Sequence, residues 1–237
     1  MTKIFPLSPW NFLTFLQCPF KFWCQKDYGI PPLPSKENVY NVFGRNLHKL
    51  IQSYYTKIIE GKKQITVQDI HSILESVVNE EAPRLGISLN KGYLTHLGNF
   101  EEFEVQRVKN KWEIIDVEKK ISNGRLKGII DAIFRDRDGE VIVVDWKTGK
   151  WNKDFLIQGY VYKLLSKADK VLFFQSLNGF EHILHEKELK EGKGMIVNIL
   201  NQVKRGISNK KRNRFCGDCE YSLFCRFDDL GLKIEEL

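Results

Sequence analysis

No run of about 18 apolar residues occurs in this 237-residue chain, which excludes a membrane-crossing helix. A secretory signal is missing too, because Ser8, Asn11, Thr14 and Gln17 break the first apolar stretch; the expectation is a cytoplasmic protein. Nowhere does Gly-x4-Gly-Lys-Ser/Thr appear, so the chain has no ATP motor of its own. Internal repeats and low-complexity tracts are lacking. With hydrophobic residues at 42% and charged residues at 28%, the balance is that of a folded globule rather than a disordered chain. The length suits one substantial core, with or without a small subdomain.

Cysteine is sparse but pointed. Cys216, Cys219 and Cys225 form a C-x2-C-x5-C array, and Cys18 stands near the other end. In a reducing compartment such thiols favour a metal over a disulfide. Four thiolates can hold an iron–sulfur cluster or a zinc ion, and either would tie the two ends of the chain together. Net charge is +7, from 37 Lys+Arg against 30 Asp+Glu. The excess is concentrated at Lys204, Arg205, Lys210, Lys211, Arg212 and Arg214, with no acid among them. Such a stretch suits phosphate neutralisation, or is simply a solvated loop.

Ser8-Pro9 predicts a helix start, with an aromatic helix over Trp10–Lys26. Further helices are expected at about Val39–Glu60, from Thr66 to Ala82, and at Lys91–Lys109. From Trp112 the period changes to that of strands: Trp112–Ile121, an Asn123-Gly124 turn, Leu126–Phe134, a turn at Asp136–Gly139, then Val141–Lys147. Four consecutive β-branched residues make the last a buried central strand. A helix over Asp154–Leu165, strands at Val171–Ser176 and Phe180–His185, and a helix over Glu188–Lys204 complete the pattern. The fold class is mixed α/β, in three parts: residues 1–110 as a helical annex, 111–203 as the core, and 204–237 as a basic, cysteine-bearing lid.

Asp131 lies within an apolar strand, where a charge is costly unless it is paired or binds metal. Asp145 and Lys147 are two apart on the central strand and so share a face. If the two strands pair across their turn, Asp131 and Asp145 converge at one end of the sheet. With the backbone carbonyl of Trp146 they would make an oxygen-rich site for Mg²⁺ or Mn²⁺, suited to phosphodiester hydrolysis, with Lys147 offsetting charge. An Asp-x-Lys pair is also frequently a plain ion pair. Gln158 and Tyr162 share one face of the next helix, and by themselves read as ordinary half-buried residues. His48 is a polar helix residue, or a further ligand if its helix crosses the sheet end.

Taken in order, Cys18-Pro19, Gly44-x3-His48, Gly128-x2-Asp131, Asp145-x-Lys147, Gln158-x3-Tyr162 and C-x2-C-x5-C resemble the PD-(D/E)xK nuclease superfamily. Within it they resemble the RecB-like nucleases that carry an iron–sulfur cluster, such as the CRISPR-associated RecB-like exonucleases and the AddB nuclease part. The likeness implies a restriction-endonuclease-like sheet with flanking helices. It implies metal ligation by His48, Asp131 and Asp145, catalytic assistance from Lys147, and support from Gln158 and Tyr162. Cys18, Cys216, Cys219 and Cys225 would hold a 4Fe-4S cluster. The substrate implied is DNA, single-stranded at its ends, admitted through a narrow passage under the lid. Trp151, Phe155 and Tyr160 are aromatics that could stack on bases there, or pack in the core. A separate helicase or CRISPR adaptation proteins are the implied partners, and self-association is compatible. Cys24 has no counterpart in the motif and reads as a packing residue. A non-catalytic nucleic-acid-binding module with structural zinc is the rival reading, and an electron-transfer protein a third.

Overall fold

The computed structural model describes residues 6–26, 30, 32–33, 39–61, 64–213 and 216–229. Arg214 of the basic stretch lies outside them. Its helices and strands run α1 (Pro9–Gln17), α2 (Pro19–Lys26), α3 (Val39–Gly61), α4 (Val67–Arg84), α5 (Lys91–Lys109), β1 (Glu113–Ser122), β2 (Lys127–Arg135), β3 (Val141–Lys147), α6 (Phe155–Ser166), β4 (Lys170–Gln175), β5 (Phe180–Ile183), α7 (Glu186–Lys204) and α8 (Ser222–Asp229). The strands form one mixed sheet in the order β1-β2-β3-β4-β5. Only β3 and β4 pair in parallel, joined by the α6 crossover; the other pairs are antiparallel.

Alternation along the central strands sends side chains to two cores. Ala132, Phe134, Ile142, Val144, Trp146, Leu172 and Phe174 pack under α3, α4 and α5. Val143, Val171 and Phe173 face the other way, toward Leu156 and Tyr162 of α6. A third core joins Phe12, Phe15, Phe22 and Trp23 to Ile157 and Val161 of α6 and to Ile196 and Ile199 of α7. The expected annex over residues 1–110 therefore splits: α3–α5 cover one face of the sheet, while α1 and α2 pack with α6 and α7.

The single aromatic helix expected over Trp10–Lys26 is two. Cys18 is extended, with φ −161° and ψ 107°, because Pro19 disfavours helical backbone at the residue before it. The break turns the chain and brings α2 beside the C-terminal segment. Helix α4 also outruns its expected end, carrying Pro83 in its last turn. Helix α8 was not foreseen. Among the described residues, no helix is long and apolar enough to cross a membrane.

Candidate active site

The sheet places Asp131 and Asp145 where two strands part. Pairing of β2 with β3 runs from Arg135–Val141 to Ala132–Val144, and Asp131 and Asp145 are next in line. Instead of a ladder bond there, Asp131 Oδ2 accepts from the Trp146 N–H at 2.8 Å. His48, on α3, brings Nδ1 to 3.4 Å from the same oxygen. Helix α3 can come this close because Gly44 has no side chain: a Cβ there would meet Thr148 Oγ1 at 3.2 Å.

Sequence reasoning missed a third acid. Glu118 of β1 falls opposite Asp131, between the pairs Val117–Ala132 and Lys119–Ile130. Its φ of 49° is left-handed, a strained backbone for a residue with a side chain. One ligand atom each from His48, Glu118 and Asp131 lies within 4.8 Å of the others, a donor set of nitrogen and carboxylate oxygen that a divalent cation accepts. The three line a cavity of about 380 Å³ together with Arg45 and Lys49. Counting back from the Asn123-Gly124 turn, where Ser122 pairs with Lys127, would have placed Glu118 opposite Asp131.

Behind this group stands a hydrogen-bonded chain. Asp145 is buried and ion-paired with Lys147, on the same side of β3. Gln158 links them: its Oε1 accepts from Lys147 Nζ at 2.7 Å, and its Nε2 donates to Asp145 Oδ2 at 2.7 Å. Tyr162, in contact with Gln158 Nε2 at 2.7 Å, donates to the Ile129 carbonyl at 2.5 Å. Gly128 makes room for that ring, since a Cβ would meet Tyr162 Cε1 at 3.1 Å. The Lys147 ammonium also sits 4.7 Å from the Phe155 ring centroid and 5.5 Å from that of Phe173. Gln158 and Tyr162 therefore orient Lys147, Asp145 and the Ile129 backbone, and Trp146 contributes its backbone while its indole is buried.

The charges interact across the whole group. Burial pushes Asp145 up to about 6, the Lys147 cation opposing and the Asp131 anion adding to the rise. Burial alone would raise Asp131 as well, but His48, Lys147 and the Trp146 N–H hold it below the usual carboxylate range. His48 loses by burial and gains more from Asp131, ending at about 9. Burial, then the Asp131 charge, raises Glu118.

Cys18, Cys216, Cys219 and Cys225 converge on a second cavity, of about 440 Å³. Protein bonds already join its two walls. Lys211 Nζ donates to the Leu16 carbonyl at 2.9 Å, Asn213 Nδ2 to that of Gln17 at 3.0 Å, and Trp23 Nε1 to that of Ile207 at 2.7 Å. Lys210 Nζ donates to the Cys225 carbonyl at 2.7 Å, so two of the expected phosphate-binding cations help fasten the lid. Cys24 is fully buried beside this site; burial, followed by its neighbours Cys18, Cys219 and Cys225, pushes its thiol up to about 12.

The three aromatics considered for base stacking are taken by packing. Trp151 lies against His182, Phe155 and Phe173, with ring centroids 4.0, 5.6 and 5.7 Å away. Phe155 stacks on Phe173, and Tyr160 packs on the core between α1, α6 and α7.

Against known proteins, the profile of the PD-(D/E)XK nuclease superfamily matches residues 6–226. No curated protein matches the chain by sequence. Among solved structures, "Crystal structure of SSO0001" shows a loose likeness, with 15% identity and a TM-score of 0.41 over 95% of this chain and 87% of that one.

Proposed function

We propose that this chain, which belongs to the PD-(D/E)XK nuclease superfamily and has the restriction-endonuclease-like sheet of that group, degrades single-stranded DNA from its ends. A metal-dependent nuclease follows from the family; the single strand and the end preference are our reading. The observation that carries it is the convergence of His48, Glu118 and Asp131 on a cavity that also presents Arg45 and Lys49. Those three side chains would hold Mg²⁺ or Mn²⁺, with Asp145 as the adjoining carboxylate and the Trp146 carbonyl on the same strand. A divalent cation supplies polarisation of the phosphodiester and a bound water of lowered pKa.

The chain's own groups do the rest. Lys147, fixed by Asp145, Gln158 and two aromatic rings, presents a cation to the charge that develops on the phosphoryl oxygens. Arg45 and Lys49 neutralise substrate phosphates on the open side. Cavities of about 380 and 600 Å³ flank the site. Cys18, Cys216, Cys219 and Cys225 would hold a 4Fe-4S cluster that locks the lid to α1 and α2. Single-stranded ends arise in CRISPR adaptation, recombination and viral DNA processing, and the reading suits each.

The test uses anaerobically purified protein, end-labelled single- and double-stranded oligonucleotides, and Mn²⁺. Wild type is expected to degrade the single strand faster, while Asp131→Ala and Lys147→Ala do neither and keep their folded spectra. Cleavage by Asp131→Ala at the wild-type rate would overturn the assignment. Metal analysis of the same preparation should find roughly four irons per chain; one zinc instead would replace the cluster by a structural ion.

A further inference from the structure

We infer that Trp10 is a stacking platform for an unpaired nucleobase, at the lip of a basic groove that leads one DNA strand to Asp131; the inference rests on the nuclease reading above. The groove, about 600 Å³, is lined by Trp10, Lys120, Lys127, Ile129, Gln158 and Tyr162 among others. Ile129 also lines the cavity of His48, Glu118 and Asp131, so the two hollows meet at that residue. Gln158 and Tyr162, the groove's inner wall, are the groups that orient Asp145 and Lys147.

Trp10 is 60% exposed, whereas Trp23 and Trp146 are 8% and 2% exposed and Trp112 and Trp151 are half-buried. An indole held in water forgoes a large burial gain, and the local structure shows why it stays there. Leu7 N donates to the Arg125 carbonyl and Lys127 N to the Leu7 carbonyl, both at 2.9 Å, so the strand of β2 pins the start of α1. The Ser8–Asn11 capping box and Pro9 at the first helical position fix its direction. Asn11 and Phe12 turn inward and are buried. Trp10 must then point outward, beside the groove.

The neighbouring charge selects the occupant. Lys120 and Lys127 are exposed, and among the described residues neither has an acidic partner within ion-pair distance. Lys127 and Lys26 also repel, which lowers the Lys26 pKa beyond the effect of burial. Unpaired cations beside a rigid, exposed indole are the composition that tracks a phosphate backbone and stacks its bases. A duplex offers no free base face to an indole at this position, so the occupant is a single strand.

The experiment measures binding of fluorescein-labelled oligothymidine by anisotropy, with Ca²⁺ in place of Mn²⁺, and repeats it with single abasic sites along the strand. Trp10→Ala should weaken binding about tenfold, the scale of one stacked base, while Trp10→Phe keeps most of it. One abasic position should weaken wild type by a similar factor and Trp10→Ala not at all. Equal affinity of Trp10→Ala and wild type, or the same abasic profile in both, would overturn the inference. Thermal melting of Trp10→Ala is expected to match wild type, since the side chain is largely in water. A protein that binds through Trp10 yet never cleaves in Mn²⁺ sinks the nuclease reading and keeps this one. One that cleaves with Trp10→Ala indistinguishable from wild type does the reverse.

Discussion

Two groups of buried charge in this molecule have opposite fates. Glu104 and Arg107, on α5, are matched one to one. Arg107 Nε and one terminal nitrogen meet the two Glu104 oxygens at 2.7 and 2.8 Å, and the Tyr55 hydroxyl donates to Glu104 at 2.6 Å. The remaining guanidinium nitrogen donates to the Trp112 carbonyl at 2.7 Å. Both Glu104 oxygens and all three guanidinium nitrogens of Arg107 have protein partners. At the sheet end, Glu118, Asp131 and Asp145 confront one lysine and one histidine, beside an open cavity. The matched pair within α5 is tied to α3 by Tyr55, whereas the unmatched acids leave a place that a cation would fill.

That contrast can be broken from either side. Asp131→Ala should slow cleavage in Mn²⁺ by about a thousandfold or more, read from initial rates, and lower the melting temperature, because the Trp146 N–H and the His48 charge lose their partner. Glu104→Ala should act on the other quantity, lowering stability by about 3–5 kcal/mol in a denaturant titration, since Arg107 is left buried alone. Its cleavage rate per folded molecule should stay near that of wild type. A Glu104 variant that folds well and fails to cleave would erase the distinction. Gln158→Ala, which frees Lys147, should cost about tenfold in kcat with little change in KM. Smallest of all, Glu118→Gly should gain about 1 kcal/mol by relieving the left-handed backbone, while weakening Mn²⁺ binding. A stability loss in that variant would mean that the φ of 49° is not strained.

The legible parts of the chain were those where local chemistry decides. Val141–Lys147 reads as a central strand because consecutive β-branched residues fit nothing else, and β3 has those bounds. The two turn glycines, Gly124 and Gly139, have φ of +82° and +85°, as hairpin turns require. Other features depend on what packs against what. Trp10, Phe12, Phe15, Phe20, Phe22 and Trp23 look alike in sequence, and only the pinning of α1 to β2 decides that Trp10 is the one left in water. Glu118 stood among Lys119 and Lys120 as an ordinary surface charge, since its role comes from register with another strand. Pro19 is visible within the expected Trp10–Lys26 helix, and the break it imposes at Cys18 follows from its ring. The side of the sheet that each N-terminal helix covers had no local signal at all.

Mn²⁺ binding measured by electron paramagnetic resonance tests that place most directly, because it needs no substrate and no turnover. Wild type and Glu104→Gln should bind the ion alike, and Asp131→Asn should lose most of that binding while staying folded. Asp131→Asn that holds Mn²⁺ as tightly as wild type would contradict a cation site at the sheet end.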